Sequence, residues 1–157
     1  MHRMQRTCGC FEWRPRVCDY CQMRTLRFGD MDMSLTDYFE TAEGTGILST
    51  ADSEGNVDSA IYAVPHMVDD ETLVLVMSDK LSHANLQTSS KATYMFIEKA
   101  PGYRGRRLYL QKIREENDPE LVQSIRRRKR YDQEGEAVSG SSAVYFKVVK
   151  IRPLVGD

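Results

Sequence analysis

The chain has 157 residues, with 22 Lys and Arg against 23 Asp and Glu and a formal net charge of −1. That length suits one domain, which buries about two-thirds of its unfolded surface and needs no covalent staples. The near-neutral balance argues against bulk attraction to nucleic acid or to an anionic membrane, although basic residues crowd at 104–107 and 126–130. No apolar run approaches the ~18–20 residues of a membrane span. The N-terminus is basic but lacks the apolar segment of a secretory signal, so the expected location is cytoplasmic.

Residues 1–32 stand apart from the rest. They hold all four cysteines, Cys8, Cys10, Cys18 and Cys21, in a C-x-C-x7-C-x-x-C pattern. Three readings fit. Four thiolates could hold one zinc, C-x-x-C being a common half-site. Two disulfides would need an oxidising compartment. The segment could also be an accessory tail, or lie upstream of a start at Met31 or Met33, because it shows neither alternation nor a helical stripe.

Residues 33–157 form the domain. Ser34 or Thr36 caps a helix whose apolar face carries Leu35, Tyr38, Phe39 and Ala42, and Gly44 and Gly46 are expected to end it. GILST is a strand, and Asp52-Ser53-Glu54-Gly55-Asn56 a hairpin turn. The run Val57 to Val68 alternates, with Pro65 marking a bulge, a bend or a strand end. Thr72 to Met77 is apolar on both faces and should be buried on both. A short helix follows from Leu81, then strands at Ala92–Glu98 and Arg107–Lys112. Asp118-Pro119-Glu120 starts a helix with the stripe Leu121, Val122 and Ile125. A Gly/Ser-rich connection leads to a last strand, Ala143–Ile151. The expected fold is mainly β with a few helices: six mostly antiparallel strands in a small closed barrel, which removes exposed edges.

The stretch Gly46 to Ala100 carries the strongest functional signal. The strand TLVLVMS opens onto DKLSHANLQ, placing Lys80 and Ser82 in a first helical turn. An ammonium, a hydroxyl and free backbone N–H groups make such a turn suited to a phosphate. Together with GILSTADSEGNVDSAIYAV before it and YMFIE after it, this order of elements resembles the FMN-binding split β-barrel family, the relatives of pyridoxamine 5'-phosphate oxidase. The resemblance covers about Leu35 to Val155 and includes GYRGRRLYLQKIREE and VYFKVVKIRPL.

The resemblance implies FMN as cofactor and a homodimer with FMN at the subunit interface. It assigns Ser59, Ala60, Ile61 and Tyr62 to the strand beside the flavin ring. Met77, Ser78, Lys80, Leu81 and Ser82 fall at the phosphate turn, and Arg107 is a further cofactor candidate. His83 reads first as a polar surface residue, with a phosphate contact and a haem ligand as its alternatives, and Met77 on its own reads as core. The tail KIRPLVGD departs from pyridoxamine 5'-phosphate oxidase, which carries an Arg- and His-containing substrate segment there. The vitamin B6 oxidase reaction is therefore not expected, and an FMN-dependent oxidoreductase of unknown substrate is. Two alternatives stand beside it: an electron-transfer flavoprotein docking a redox partner through its basic clusters, and a barrel that binds haem or a deazaflavin. No G-x-S-x-G, H-E-x-x-H, Walker-type or G-x-G-x-x-G pattern is present, and no metal ligand set is assigned.

Overall fold

The computed structural model describes residues 33–127 and 140–156. The four cysteines, and the basic cluster beyond Arg127, lie outside the described residues. The elements run α1 (Leu35–Thr41), β1 (Gly44–Ala51), β2 (Val57–Tyr62), β3 (His66–Met67), β4 (Thr72–Ser78), α2 (Leu81–Thr88), β5 (Lys91–Glu98), β6 (Gly105–Glu116), α3 (Pro119–Arg127) and β7 (Ser141–Pro153). All the strands join one antiparallel sheet in the order β2-β1-β5-β6-β7-β4-β3.

That sheet has seven strands rather than the expected six. The alternating run from Val57 is broken at Pro65, and its two halves lie at opposite edges of the sheet as β2 and β3. A flat seven-stranded sheet would hold its edges about 29 Å apart at the usual strand spacing. The link from Tyr62 to His66 spans at most about 14 Å. The sheet must therefore curl until its edges approach without pairing, which makes a split barrel. The Tyr94 hydroxyl helps close it by donating to the Ala63 carbonyl at 3.0 Å.

Gly44 and Gly46 do not end the helix; they lie inside β1, and α1 stops at Thr41 with Ala42 as its C-cap. The reason is close approach. A Cβ on Gly46 would collide with the Tyr94 hydroxyl, and one on Gly44 with the Ile97 carbonyl. Removing the side chain lets Tyr94 pass beneath β1 to reach Ala63.

Other local signals match the structure. Ser34 caps α1, its hydroxyl accepting from the Asp37 N–H at 3.1 Å. Asp52 Oδ1 accepts from the Glu54 and Asn56 N–H groups, both at 2.9 Å, and Gly55 takes a positive φ of 89°. At the start of α3, Asp118 Oδ1 accepts from the Glu120 N–H at 2.9 Å.

The core lies inside the curl, where Leu48, Leu73, Met77, Tyr94, Phe96, Leu108 and Phe146 are fully buried. β4 is buried on both faces, as its sequence requires. Leu73, Leu75 and Met77 enter the barrel core, while Val74 faces outward into a second cluster with Val122, Ile125, Ala143 and Tyr145. Helix α3 thus covers the outside of the sheet over β4 and β7. Among the described residues no helix is long and apolar enough to cross a membrane.

Candidate functional site

Strand β2 and the start of α2 meet at one end of the split barrel. β2 pairs only with β1 and forms one edge of the sheet. Its alternation is as expected: Ser59 and Ile61 point to the exposed outer face, Ala60 and Tyr62 inward. An edge strand leaves alternate N–H and C=O groups without ladder partners, and these could address the rim of a planar heterocycle.

The turn Ser78–Ser82 is only partly open. Ser78, Lys80 and Leu81 are exposed, while Ser82 is buried. Lys80 is the N-cap of α2, and no side chain caps the helix there. In contrast to α1, its first turn of amides is not satisfied by a side-chain cap and remains suited to an anion. Ser82, however, donates its hydroxyl to Asp58 Oδ2 at 3.3 Å. That bond joins α2 to the inner face of β2, where Tyr62 also sits. Burial raises the Tyr62 phenol above its ordinary range; the Ser82 hydrogen bond acts against this and the Asp58 carboxylate adds to it.

The remaining sequence candidates lie elsewhere. Met77 is fully buried in the barrel core. Arg107 stands on β6, in register with Met95, Ile47 and Ile61 across three strand steps, about 14 Å from β2 at normal strand spacing. Its guanidinium donates to the carbonyls of Pro153, at 2.9 Å, and Gly156. It therefore fastens the C-terminal segment. A phosphorylated flavin would therefore have Lys80, Ser78 and backbone groups of α2 for its phosphate, and the edge of β2 for its ring.

His83 is not the surface residue its sequence suggests. Its side chain is only 12% exposed. Nδ1 lies 3.2 Å from Asp79 Oδ1 and Nε2 lies 2.8 Å from Glu115 Oε1. Glu115 Oε2 accepts from Lys112 Nζ at 2.7 Å and from Gln87 Nε2 at 3.2 Å. Burial pushes the Glu115 carboxyl up, but hydrogen bonds from Lys112, His83, Gln87 and Ser142 outweigh it and hold the group down at about 2. The cluster borders a 510 Å³ cleft shared with Asn117, Pro119 and Gly140–Ser142. The i, i+4 spacing of Asp79 and His83 was a usable signal. Glu115 was not, because β6 had been expected to stop at Lys112.

The outer face of the sheet over β2, β1, β5 and β6 is bare among the described residues. Val57 and Ile61 are 73% and 79% exposed, and Val149 on β7 is 63% exposed. A shallow 480 Å³ cleft on this face is lined by Ser49, Ala51, Val57, Thr93, Tyr109 and Val149, among others.

No family model matches the chain, and no curated protein matches it in sequence. Solved structures match it in three dimensions. An FMN-binding protein from Syntrophomonas wolfei subsp. wolfei superposes with a TM-score of 0.68 at 20% identity, covering 88% of this chain and 97% of that one. The chain shares that protein's split-barrel fold. A pyridoxamine 5'-phosphate oxidase-like protein from Lactobacillus delbrueckii superposes with a TM-score of 0.56 at 13% identity, over 74% of this chain and 88% of its own. An F420 reductase does so at 0.62 and 12% identity, over 76% and 98%. The split-barrel resemblance read from GILSTAD, TLVLVMSDKLSHANLQ and YMFIE therefore holds at the level of the fold.

Proposed function

We propose that this split-barrel protein binds FMN and acts as an oxidoreductase on a small substrate, in the cytoplasm. The observation that carries the reading is the turn Ser78–Ser82: an exposed lysine and serine at a helix start that no side chain caps, beside an edge strand of a fold shared with an FMN-binding protein. Lys80, Ser78 and the first amides of α2 would take the phosphate, and Ser59 to Tyr62 would lie along the ring. The flavin would supply the redox chemistry; the chain supplies position and electrostatics.

The working form we propose is a homodimer. Flavin pockets bury most of the ligand, and one edge strand with one helical turn is a shallow cradle. Val57 and Ile61 on the outer side of β2, and Val149 across the sheet on β7, are exposed apolar residues that such an interface would cover. A second copy is the commonest cover. It would also supply the missing wall beside β2.

A deazaflavin is the second reading, favoured by the match to an F420 reductase. The absorption spectrum of the purified protein, with each cofactor offered in turn, tests both. Flavin bands retained after gel filtration support the FMN reading. A deazaflavin spectrum favours the second. A Soret band, or failure to retain either cofactor, refutes both.

A further inference from the structure

We propose that Glu115, acting through His83, is the positioning residue for the phosphate-binding turn; the proposal rests on the FMN reading above and names how that turn is held. The residues involved are distant in sequence and meet on one side of α2. Glu115 comes from the far end of β6, and its carboxylate is fixed by Lys112 at 2.7 Å and Gln87 at 3.2 Å. One of its oxygens accepts from His83 Nε2 at 2.8 Å. The other ring nitrogen of His83 faces Asp79 Oδ1 at 3.2 Å. Asp79 is the residue immediately before Lys80, and its N–H donates to the Gly140 carbonyl at 3.1 Å.

The opposite side of α2 is fastened too. Ser82 donates to Asp58 at 3.3 Å, and Asn85 donates to the Thr50 hydroxyl at 3.1 Å. The turn is thus gripped from β6 on one side and from β1 and β2 on the other, while Lys80 itself stays exposed. Lys112, Glu115 and His83 are only 14%, 19% and 12% exposed. The lysine and carboxylate that anchor the turn are buried far enough to cost desolvation, although Asp79 at the turn itself is 83% exposed, and a solvated helix end does not need such an anchor. The arrangement makes sense as preorganisation: amides and a lysine held in place before an anion arrives lose less entropy on binding.

The grip predicts an effect confined to the phosphate. His83→Ala and Glu115→Gln act indirectly and should each weaken FMN by roughly 2–12-fold, the scale of one ordinary net hydrogen bond. Riboflavin, which lacks the phosphate, should change by less than about twofold. His83→Gln, which keeps a donor near the Nε2 position, should recover part of the loss. In the unliganded protein, amide hydrogen exchange over residues 79–84 should quicken in His83→Ala and Glu115→Gln while exchange in β5 stays unchanged. Lys80→Ala serves as the parallel control. If Lys80→Ala lowers the FMN-to-riboflavin affinity ratio and the His83 and Glu115 variants do not, the grip is refuted and the FMN reading survives. If Lys80→Ala also leaves the ratio unchanged, both fall. Equal weakening of FMN and riboflavin, or unchanged exchange over 79–84, would likewise overturn the positioning role.

Discussion

Replacing Gly46 with Ala tests how the split barrel is closed. The added methyl would collide with the Tyr94 hydroxyl and sit 2.5 Å from Tyr94 Cζ and 2.8 Å from the Tyr62 carbonyl. Tyr94 is fully buried among core side chains and has little room to retreat. Overpacking of this kind costs about 1–3 kcal/mol. Displacing Tyr94 also breaks its 3.0 Å bond to the Ala63 carbonyl, worth about 1 kcal/mol net and more if the buried partner stays unsatisfied. The expected total is about 2–4 kcal/mol. Tyr94→Phe alone should cost only about 1 kcal/mol, since it removes the bond but keeps the ring. In the Tyr94→Phe background Gly46→Ala should cost about 1 kcal/mol less than in the native chain, because the nearest colliding atom and its bond are already gone. Denaturant melts of the four proteins give the cycle. Additive costs, or a Gly46→Ala protein as stable as the native one, would show that Tyr94 does not bridge β5 to the link between β2 and β3 as described.

Lys80→Ala should weaken FMN by roughly 10–150-fold, the loss of a charge-assisted bond worth about 1.5–3 kcal/mol, with riboflavin little affected; titration calorimetry with the two ligands measures it. Glu115 is held at about 2, below its ordinary 4.5, so its stabilising effect is complete above pH 4.5 and fades as pH falls toward 2. With solvent screening it should contribute about 1 kcal/mol, so acid melts of Glu115→Gln should lose less stability over that window than the native protein. Ile61→Glu, on an outward position 79% exposed, should leave the thermal midpoint of the subunit within a few degrees while sedimentation equilibrium shows a shift from dimer to monomer; an unchanged dimer would place the interface elsewhere. A chain beginning at Met33 should fold and bind flavin as the full chain does. Bound zinc in the full-length protein, measured by elemental analysis, would instead assign Cys8, Cys10, Cys18 and Cys21 as ligands.

Features that depend on neighbours in sequence were legible without a structure. The Ser34 cap, the Asp52–Asn56 turn and the Asp118-Pro119 start each rest on a side chain bonding a backbone group within four residues. The two-faced burial of β4 was legible because Leu73 to Met77 is apolar at every position. Features that depend on distant partners were not. Gly44 and Gly46 read locally as helix breakers, and only the path of Tyr94 and Ile97 shows why β1 needs them. Pro65 marked a break, but nothing local says that the chain then crosses to the far edge of the sheet. His83 looks solvated in DKLSHANLQ; its burial comes from the far end of β6, which continues four residues past the expected stop at Lys112. The same holds for Ser82, whose hydroxyl turns toward Asp58, 24 residues away.

These long-range ties explain why the proposed cofactor turn and the proposed partner surface belong together. Among the described residues the sheet is covered outside at one end only, where Val122 and Ile125 of α3 pack on Val74 and Tyr145. The bare end terminates at β2, whose outward residues Val57 and Ile61 are the most exposed apolar groups of that strand. Its inward residue Asp58 bonds α2 through Ser82. A second copy seated on the bare face would therefore end at the strand assigned to the flavin ring. Binding and association would then be linked by mass action, each ligand stabilising the state the other prefers. Ile61→Glu should on this account lower flavin affinity as well as break the dimer. It should weaken FMN and riboflavin alike, because the lost wall faces the ring. Lys80→Ala should discriminate between them. The two substitutions lie on opposite sides of one edge strand, and the contrast in what they spare separates the ring site from the phosphate site.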